Sequence, residues 1–461
     1  MTEQSDVSSP HRVIGIDLGT TSCAVSVWDG AKVVVVARIP AVVGQNRAGQ
    51  VVVGRTPAGD RENAITGVKR ELGTGAPIRF RGRTYQPREI CAFLLIELKR
   101  HAEGFLGVPV HDAVITVPSS AGEPQRRALR EAAGLAQLNV RRLLDDPAAA
   151  AAGLGGTDHT GTYAIYDLGG GTFDASIVRI GPGIVEVLGT AGDPLLGGDD
   201  FDERIVAYAL RQIRERHHVD LSQDARIRQR IRWEAEVRKR ELSVTESATL
   251  ALPLLTATVS AIVPVTRRAF ETMIEPDVER SLDHVGAALL AAGLVPAEVE
   301  QVLLSGGSTR IPVIRDRLAA YFGLPHADVR TDLDPDELNV RGAGLIARDF
   351  EPAPIFEGAT GGMLSGNLRL RAEMADPDQE APTADPAPAG TIPAPPAETP
   401  ADYRRIAELS HELLLTASPD DHDALRVAYL SFVRAILAAE PDARLAELGR
   451  TLTTEYRRSQ A

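Results

Sequence analysis

The feature that most constrains this chain is a tripeptide written twice. Asp17-Leu-Gly and Asp167-Leu-Gly each end one short β-type run and open the turn into another. Val13–Asp17 leads through Gly-Thr-Thr into Cys23–Trp28, and Tyr163–Asp167 leads through Gly-Gly-Gly-Thr into Phe173–Ile180. Each is a hairpin pattern. One supersecondary unit repeated after about 150 residues predicts two related lobes facing each other. Helical stretches are expected at Pro87–Phe105, Pro124–Ala136, Asp200–His217, Arg226–Leu242, Val278–Ala292 and Ile311–Phe322. Strands alternating with helices argue for α/β layers.

The hairpin turns carry chemistry. In the first, a strand ends in the Asp17 carboxylate and a tight turn follows with two hydroxyls. Gly19 lets a ligand approach the backbone closely, and exposed amides with Thr20 and Thr21 can bind phosphate oxygens. The second offers the mirror image, with Gly169, Gly170, Gly171, Thr172 and Asp174. Two such turns opposed could clamp a polyphosphate, with Asp17 and Asp167 holding Mg²⁺, which favours few carboxylates and several waters. One glycine-rich turn is as readily a plain hairpin turn; two, with aspartate at the same relative place, are stronger.

Composition narrows the rest. A chain of 461 residues accommodates two to four domains of ~100–200 residues. With net charge −13 it repels phosphate backbones, so nucleic acid is excluded as the main partner. Two cysteines, Cys23 and Cys91, are too few for a disulfide scaffold and favour a reducing compartment. The N-terminus does not read as a signal peptide. The longest β-like apolar run, Val33–Ala37, is far below the ~20 residues that span a bilayer. A cytoplasmic location without membrane attachment is expected. Residues 1–12 read as a loose tail. Residues 376–400 hold eight prolines and no basic residue, the composition of a stiff extended linker, and 351–375 joins it as connector. Residues 401–461 read as two or three helices, with Leu425, Ala428, Tyr429, Phe432, Val433 and Ile436 at helical spacing. They form either a self-contained cap or a docking module, with partner binding or self-association slightly favoured.

Ile14-Gly-Ile-Asp-Leu-Gly-Thr-Thr-Ser and Tyr166-Asp-Leu-Gly-Gly-Gly-Thr-Phe-Asp resemble the phosphate motifs of the 70-kDa heat-shock chaperones, within the actin-like ATPase superfamily. Val114-Ile-Thr-Val-Pro, Leu196-Gly-Gly-Asp-Asp-Phe-Asp, Glu236 to Ser243, Leu304-Ser-Gly-Gly-Ser-Thr-Arg-Ile-Pro and Asp334-Pro-Asp-Glu follow in order. The resemblance covers roughly 13–348. It implies a two-lobed α/β actin-like nucleotide-binding domain over 13–350 that binds ATP or ADP with Mg²⁺ and K⁺ and hydrolyses ATP. It also implies J-domain or nucleotide-exchange partners. Neither a Walker loop nor a kinase signature is present.

By the same resemblance, Lys69 contacts the γ-phosphate and orients water, and Gly197 and Gly198 lie close to the phosphates. Thr172 and the carboxylates orient water, while Asp174 and Asp17 help bind a monovalent cation. Glu236, Lys239, Arg240 and Ser243 fall at i, i+3, i+4 and i+7, one helical face. The resemblance assigns the ribose to Glu236 and Lys239, and adenine to Arg240 and Ser243. Taken alone, that face reads as a solvated charged surface. Gly306, Gly307, Ser308 and Arg310, with Asp336 nearby, supply the other wall of the nucleoside pocket. Of 50 basic residues only four are lysines, Lys32, Lys69, Lys99 and Lys239. Two fall at expected sites, where a compact point charge suits better than a guanidinium.

Three departures matter. Asp145-Asp146-Pro147 stands where the family has Asn-Glu-Pro, and a carboxylate one methylene shorter slows any water it positions. Pro118, Arg126 and Asp146 occupy the family's relay between nucleotide and domain linker, but proline-rich sequence replaces the apolar linker. The β-sandwich peptide-binding domain and helical lid are not legible. The segment between Asp17 and Pro118 is short for the family, which implies a reduced outer subdomain. Cys23 reads as a small buried residue before a redox switch, and His217-His218 as surface. The expectation is therefore an ATPase coupled to a protein partner through its C-terminal helices. A nucleotide-dependent scaffold or regulator with little hydrolysis is the alternative, and a small-molecule kinase of the superfamily is less favoured.

Overall fold

The computed structural model describes residues 13–46, 50–54, 64–80, 82–154, 159–182, 184–256 and 258–351, and Thr451. The expected N-terminal tail, the connector beyond residue 351 and the C-terminal helices lie outside these residues, Thr451 apart. The described residues form two compact units. The first takes in those of 13–54, 64–200 and 275–351, and the second those of 201–274.

The chain begins with β1 (Val13–Leu18), β2 (Ser22–Trp28) and β3 (Val33–Pro40), then the short strands β4 (Val42–Gln45), β5 (Val51–Val53) and β6 (Ile65–Thr66). A 3-10 turn, Val68–Glu71, follows. The β7 (Ile78–Phe80) and β8 (Arg83–Tyr85) hairpin leads into α1 (Pro87–Leu106), β9 (Asp112–Val117), α2 (Glu123–Leu135), β10 (Asn139–Asp145) and α3 (Asp146–Gly153). Next come β11 (Gly161–Leu168), β12 (Phe173–Gly181), β13 (Ile184–Asp193), α4 (Gly198–His217), α5 (Ala225–Leu242), β14 (Ser247–Leu252) and β15 (Ala261–Thr266). The last elements are α6 (Arg267–Ala292), β16 (Gln301–Ser305), α7 (Pro312–Phe322), β17 (Val329–Arg330) and α8 (Leu338–Arg348).

Both large sheets belong to the first unit and share one topology. Their strand orders are β10-β9-β1-β2-β3 and β13-β12-β11-β16-β17. In each, an antiparallel three-strand meander carries a parallel strand beside its first member: β1 pairs β9, and β11 pairs β16. The duplication read from two tripeptides is thus a duplication of whole sheets, and the fold is a mixed α/β actin-like one. Central strands covered on both faces read as apolar runs, as Ala113–Ile115 of β9 does; every residue of that strand is buried, Asp112 and Thr116 included.

Helix α1 shows why these segments stop where they do. Pro87 opens it, Glu89 accepts a bond from the Gln86 backbone N at 2.8 Å, and Gly107 closes it in the left-handed region. Its buried face, including Ile90, Phe93, Leu94 and Leu98, packs into the core of the first sheet, where each large side chain contributes about 1.5–3 kcal/mol. Helix α6 departs from expectation: it starts at Arg267 and runs through Pro276. Proline inside a helix costs about 3 kcal/mol. Buried Phe270, Ile274, Val278 and Leu282, four residues apart, offset it.

Candidate functional site

Each hairpin aspartate is held from the parallel strand beside it. Register places Ile16 opposite Ile115, so Thr116 on β9 reaches the end of β1 and donates its hydroxyl to Asp17 Oδ1 at 2.7 Å. In the second sheet Asp167 pairs with Ser305 in register and Ser305 bonds its carboxylate, while Asn339 on α8 donates Nδ2 to Oδ2 at 3.3 Å. Thr116 sits inside a quoted motif, but its role, like those of Ser305 and Asn339, escaped the sequence reading. The one signal available for Asn339 was a lone amide among the apolar residues of a helix.

The two turns face each other at contact distance. A Cβ on Gly170 would lie 1.9 Å from Thr21 Oγ1, and one on Gly171 would lie 1.1 Å from an Arg70 guanidinium nitrogen. Only glycine leaves room for such an approach. Gly197 and Gly198 brace the second turn: the Gly198 and Asp199 backbone N–H groups donate to the carbonyls of Gly169 and Gly170 at 3.0 and 2.6 Å. Arg70, also missed, continues from Gly171 to Asp199 at 3.5 Å.

Lys69 enters from the 3-10 turn and places Nζ 3.8 Å from Asp146 Oδ2, both largely buried. Burial opposes its charge, but Asp146, Asp17 and Asp167 outweigh burial and raise its pKa, so the lysine stays cationic. The acids share that one cation. Burial, then Asp17 and Asp167, push Asp146 up to about 7 against the pull of Lys69 and of the nearby Thr116 hydroxyl. Asp174 is raised to about 7 by burial and by Asp167 and Asp146, and Asp167 is raised by burial and Asp17. Burial likewise pushes the Cys23 thiol far up and that of Cys91 to about 12, so both are inert small core residues.

The relay positions and the acidic residues have these surroundings. The Arg126 guanidinium bonds Asp145 Oδ1 at 2.5 Å and the Ala121 carbonyl at 2.9 Å. The β10-to-α3 junction explains this, because Asp145 ends the strand and Asp146 begins the helix, sending adjacent side chains different ways. Pro118 lies at the end of β9 in the turn that ends at Ala121. No group of three or more His, Cys, Asp and Glu among the described residues is arranged to hold a metal directly.

The residues expected at the nucleoside are described unit by unit. In the first, the Gly306–Arg310 turn packs on the second glycine turn, with Ser308 Oγ donating to the Gly169 carbonyl at 2.9 Å. Arg310 bonds Asp334 at 2.5 Å and Asp336 at 3.1 Å. Asp336 also pairs with Arg38, at 2.8 Å. In the second unit, Asp224 caps α5 by accepting from the Arg226 and Ile227 backbone N–H groups. Near the far end, Glu236 pairs with exposed Arg240 at 2.5 Å, Lys239 is buried against Asp202 at 2.9 Å, and Ser243 is the C-cap. Lys239 is thus engaged with a carboxylate, whereas Arg240 keeps a guanidinium plane in solvent.

A family model described as Hsp70 protein matches residues 74–354, more than half of the chain. The chain belongs to the Hsp70 family. The match begins after the first hairpin and Lys69, so the sheet symmetry, not the matched span, ties those residues to the rest. The Hsp70 assignment carries an ATPase-type, chaperone-like nucleotide-binding domain, and the family uses ATP or ADP with Mg²⁺. The site fits that cofactor: several buried carboxylates share one lysine, and Asp146 Oδ1 is buried without a hydrogen-bond partner among the described residues. A divalent cation bound through waters would supply the missing positive charge. No helix among the described residues is long and apolar enough to cross a membrane.

Proposed function

We propose that this protein binds Mg²⁺-ATP between its two aspartate-bearing turns and hydrolyses it slowly to ADP and phosphate. The observation that carries this reading is the contact of Gly170 with Thr21, which opposes the turns beside Lys69. Backbone amides around Gly19 and Gly169–Gly171, with Thr20, Thr21 and Thr172, bind phosphate oxygens. Asp17, Asp167 and Asp174 hold the waters around Mg²⁺, which supplies charge neutralisation for the phosphates; K⁺ fits the same acidic surroundings. Lys69 adds a second positive charge at the γ-phosphate. Phosphoryl transfer is chiefly positioning and charge stabilisation, and Asp146 orients the attacking water from its buried Oδ1. Glu236, Lys239, Arg240 and Ser243 are assigned to the nucleoside, as are Gly306, Gly307, Ser308, Arg310 and Asp336. Arg310 must release Asp336 or turn its guanidinium face to stack on a base.

The proposed boundaries are 13–350 for the nucleotide-binding domain, 351–400 for a proline-rich linker and 401–461 for a helical module. Closure on Mg²⁺-ATP would reach a protein partner through that module, in the cytoplasm. Turnover of ATP by wild type, Lys69→Ala and Thr172→Ala tests the site, and equal rates in all three reject it. A second reading, a nucleotide-dependent regulator with little hydrolysis, is favoured by the short Asp146 and by Arg126 being tied to Asp145. Tight ATP binding with negligible single-turnover hydrolysis selects it.

A further inference from the structure

Helices α3 and α8 pack on each other closely enough that a Cβ on Gly342 would lie 1.8 Å from the Ala149 carbonyl oxygen. Each helix follows the last strand of its sheet, β10 or β17. Each opens with a polar side chain in its first turn: Asp146 on α3, beside Lys69 and Thr116, and Asn339 on α8, beside Asp167. The two stand at matching points of the duplicated fold.

Asn339 is more than nine-tenths buried, between Leu338 and Val340, which are buried too. A buried amide costs free energy unless both its ends are satisfied. Its Nδ2 is satisfied by Asp167 Oδ2. Its Oδ1 is buried and has no hydrogen-bond partner among the described residues. The free end is an acceptor, so it calls for a donor. A water bound to a cation is a strong donor, and Asp167 is one of the carboxylates assigned to the Mg²⁺ shell.

We propose that Asn339 is a positioning residue for the magnesium shell: Nδ2 fixes the Asp167 carboxylate, and Oδ1 accepts a hydrogen bond from a magnesium-bound water. This rests on the Mg²⁺-ATP reading above and adds α8 to it. Burial and the helix turn then set the direction of Asp167, so the shell is organised from the second half of the fold as Asp146 and Thr116 organise the first.

The test is calorimetric ATP binding by the full chain, with saturating Mg²⁺ and again with EDTA, supported by the Mg²⁺ dependence of turnover. Asn339→Leu keeps the shape and removes both hydrogen-bonding ends. It should bind ATP in EDTA as wild type does, while its Mg²⁺-dependent gain in affinity falls about tenfold. The Mg²⁺ concentration for half-maximal turnover should rise by a similar factor. Asn339→Gln keeps the amide and should recover at least a third of the wild-type gain. The inference is overturned if Asn339→Leu responds to Mg²⁺ like wild type, loses affinity equally in EDTA, or is not rescued by a folded Asn339→Gln. Wild type that takes up no ATP with or without Mg²⁺ overturns the nucleotide reading, and this inference with it.

Discussion

The two halves of the duplicated fold keep the same frame and divide the chemistry. Both end a first strand in aspartate, and both hold that aspartate by a hydroxyl from the parallel neighbour, Thr116 for Asp17 and Ser305 for Asp167. They differ in what surrounds the frame. The first half brings the cation, Lys69, and the acid Asp146; the second brings the glycine turn, against which Thr21 and Arg70 pack, and an amide, Asn339. Duplication thus supplied two equivalent carboxylates. In the proposed nucleotide site, charge comes from one half and a close-packed glycine turn from the other.

The largest test of that division is Lys69→Ala, which leaves the carboxylates of both halves without their shared cation. ATP turnover should fall by at least ~100-fold, the scale of losing a pre-placed charge stabiliser; a loss below threefold would show that the first half does not supply the charge. The glycine turns sharpen the contrast. A Cβ on Gly170 strikes across to Thr21, but one on Gly19 strikes the Ser22 carbonyl of its own hairpin, 2.2 Å away. Gly170→Ala should therefore weaken Mg²⁺-ATP binding about tenfold with little change in melting temperature, and Gly19→Ala should lower the melting temperature itself. Calorimetry and thermal scans on both separate these outcomes.

Asp146→Glu tests whether the shorter acid limits the first half. The added methylene carries the carboxylate further from α3, and single-turnover hydrolysis should rise about three- to tenfold; no gain would assign the slow step elsewhere. The smallest effect is on stability. Asp174 titrates at about 7 when folded, against 3.8 as its ordinary value, because of burial and its acidic neighbours. Between those values the folded chain keeps a proton that the unfolded chain releases, so stability falls as pH rises from about 4 to about 7. Without Mg²⁺ and nucleotide, Asp174→Asn should match wild type at pH 4. At pH 8 it should melt several degrees higher, at about 2–4 °C per kcal/mol recovered. A gain equal at both pH values would show that charge is not the cause.

The hairpins were legible because everything that makes them is contiguous: an apolar run, a carboxylate, glycines, hydroxyls and another apolar run. Asn339, Ser305 and Thr116 were not, because they lie 172, 138 and 99 residues from the aspartates they touch. Only parallel pairing and helix packing bring them there. Arg126 shows the finer limit. The sequence placed it at a relay position without naming a partner, and the fold gives it Asp145, the last residue of β10. Pro276 shows the opposite error, a local breaker overruled by four buried apolar side chains.

By itself, then, the amino-acid order determined the duplication, the α/β class and the pair of acidic turns, since strand periodicity and turn chemistry act over a few neighbouring residues. Tertiary structure alone decided how near the turns come, which acids share Lys69 and where the amide of α8 points. Those are matters of packing between segments remote in the chain, and electrostatics in a dry interior depends on such distances more than on which residues are present.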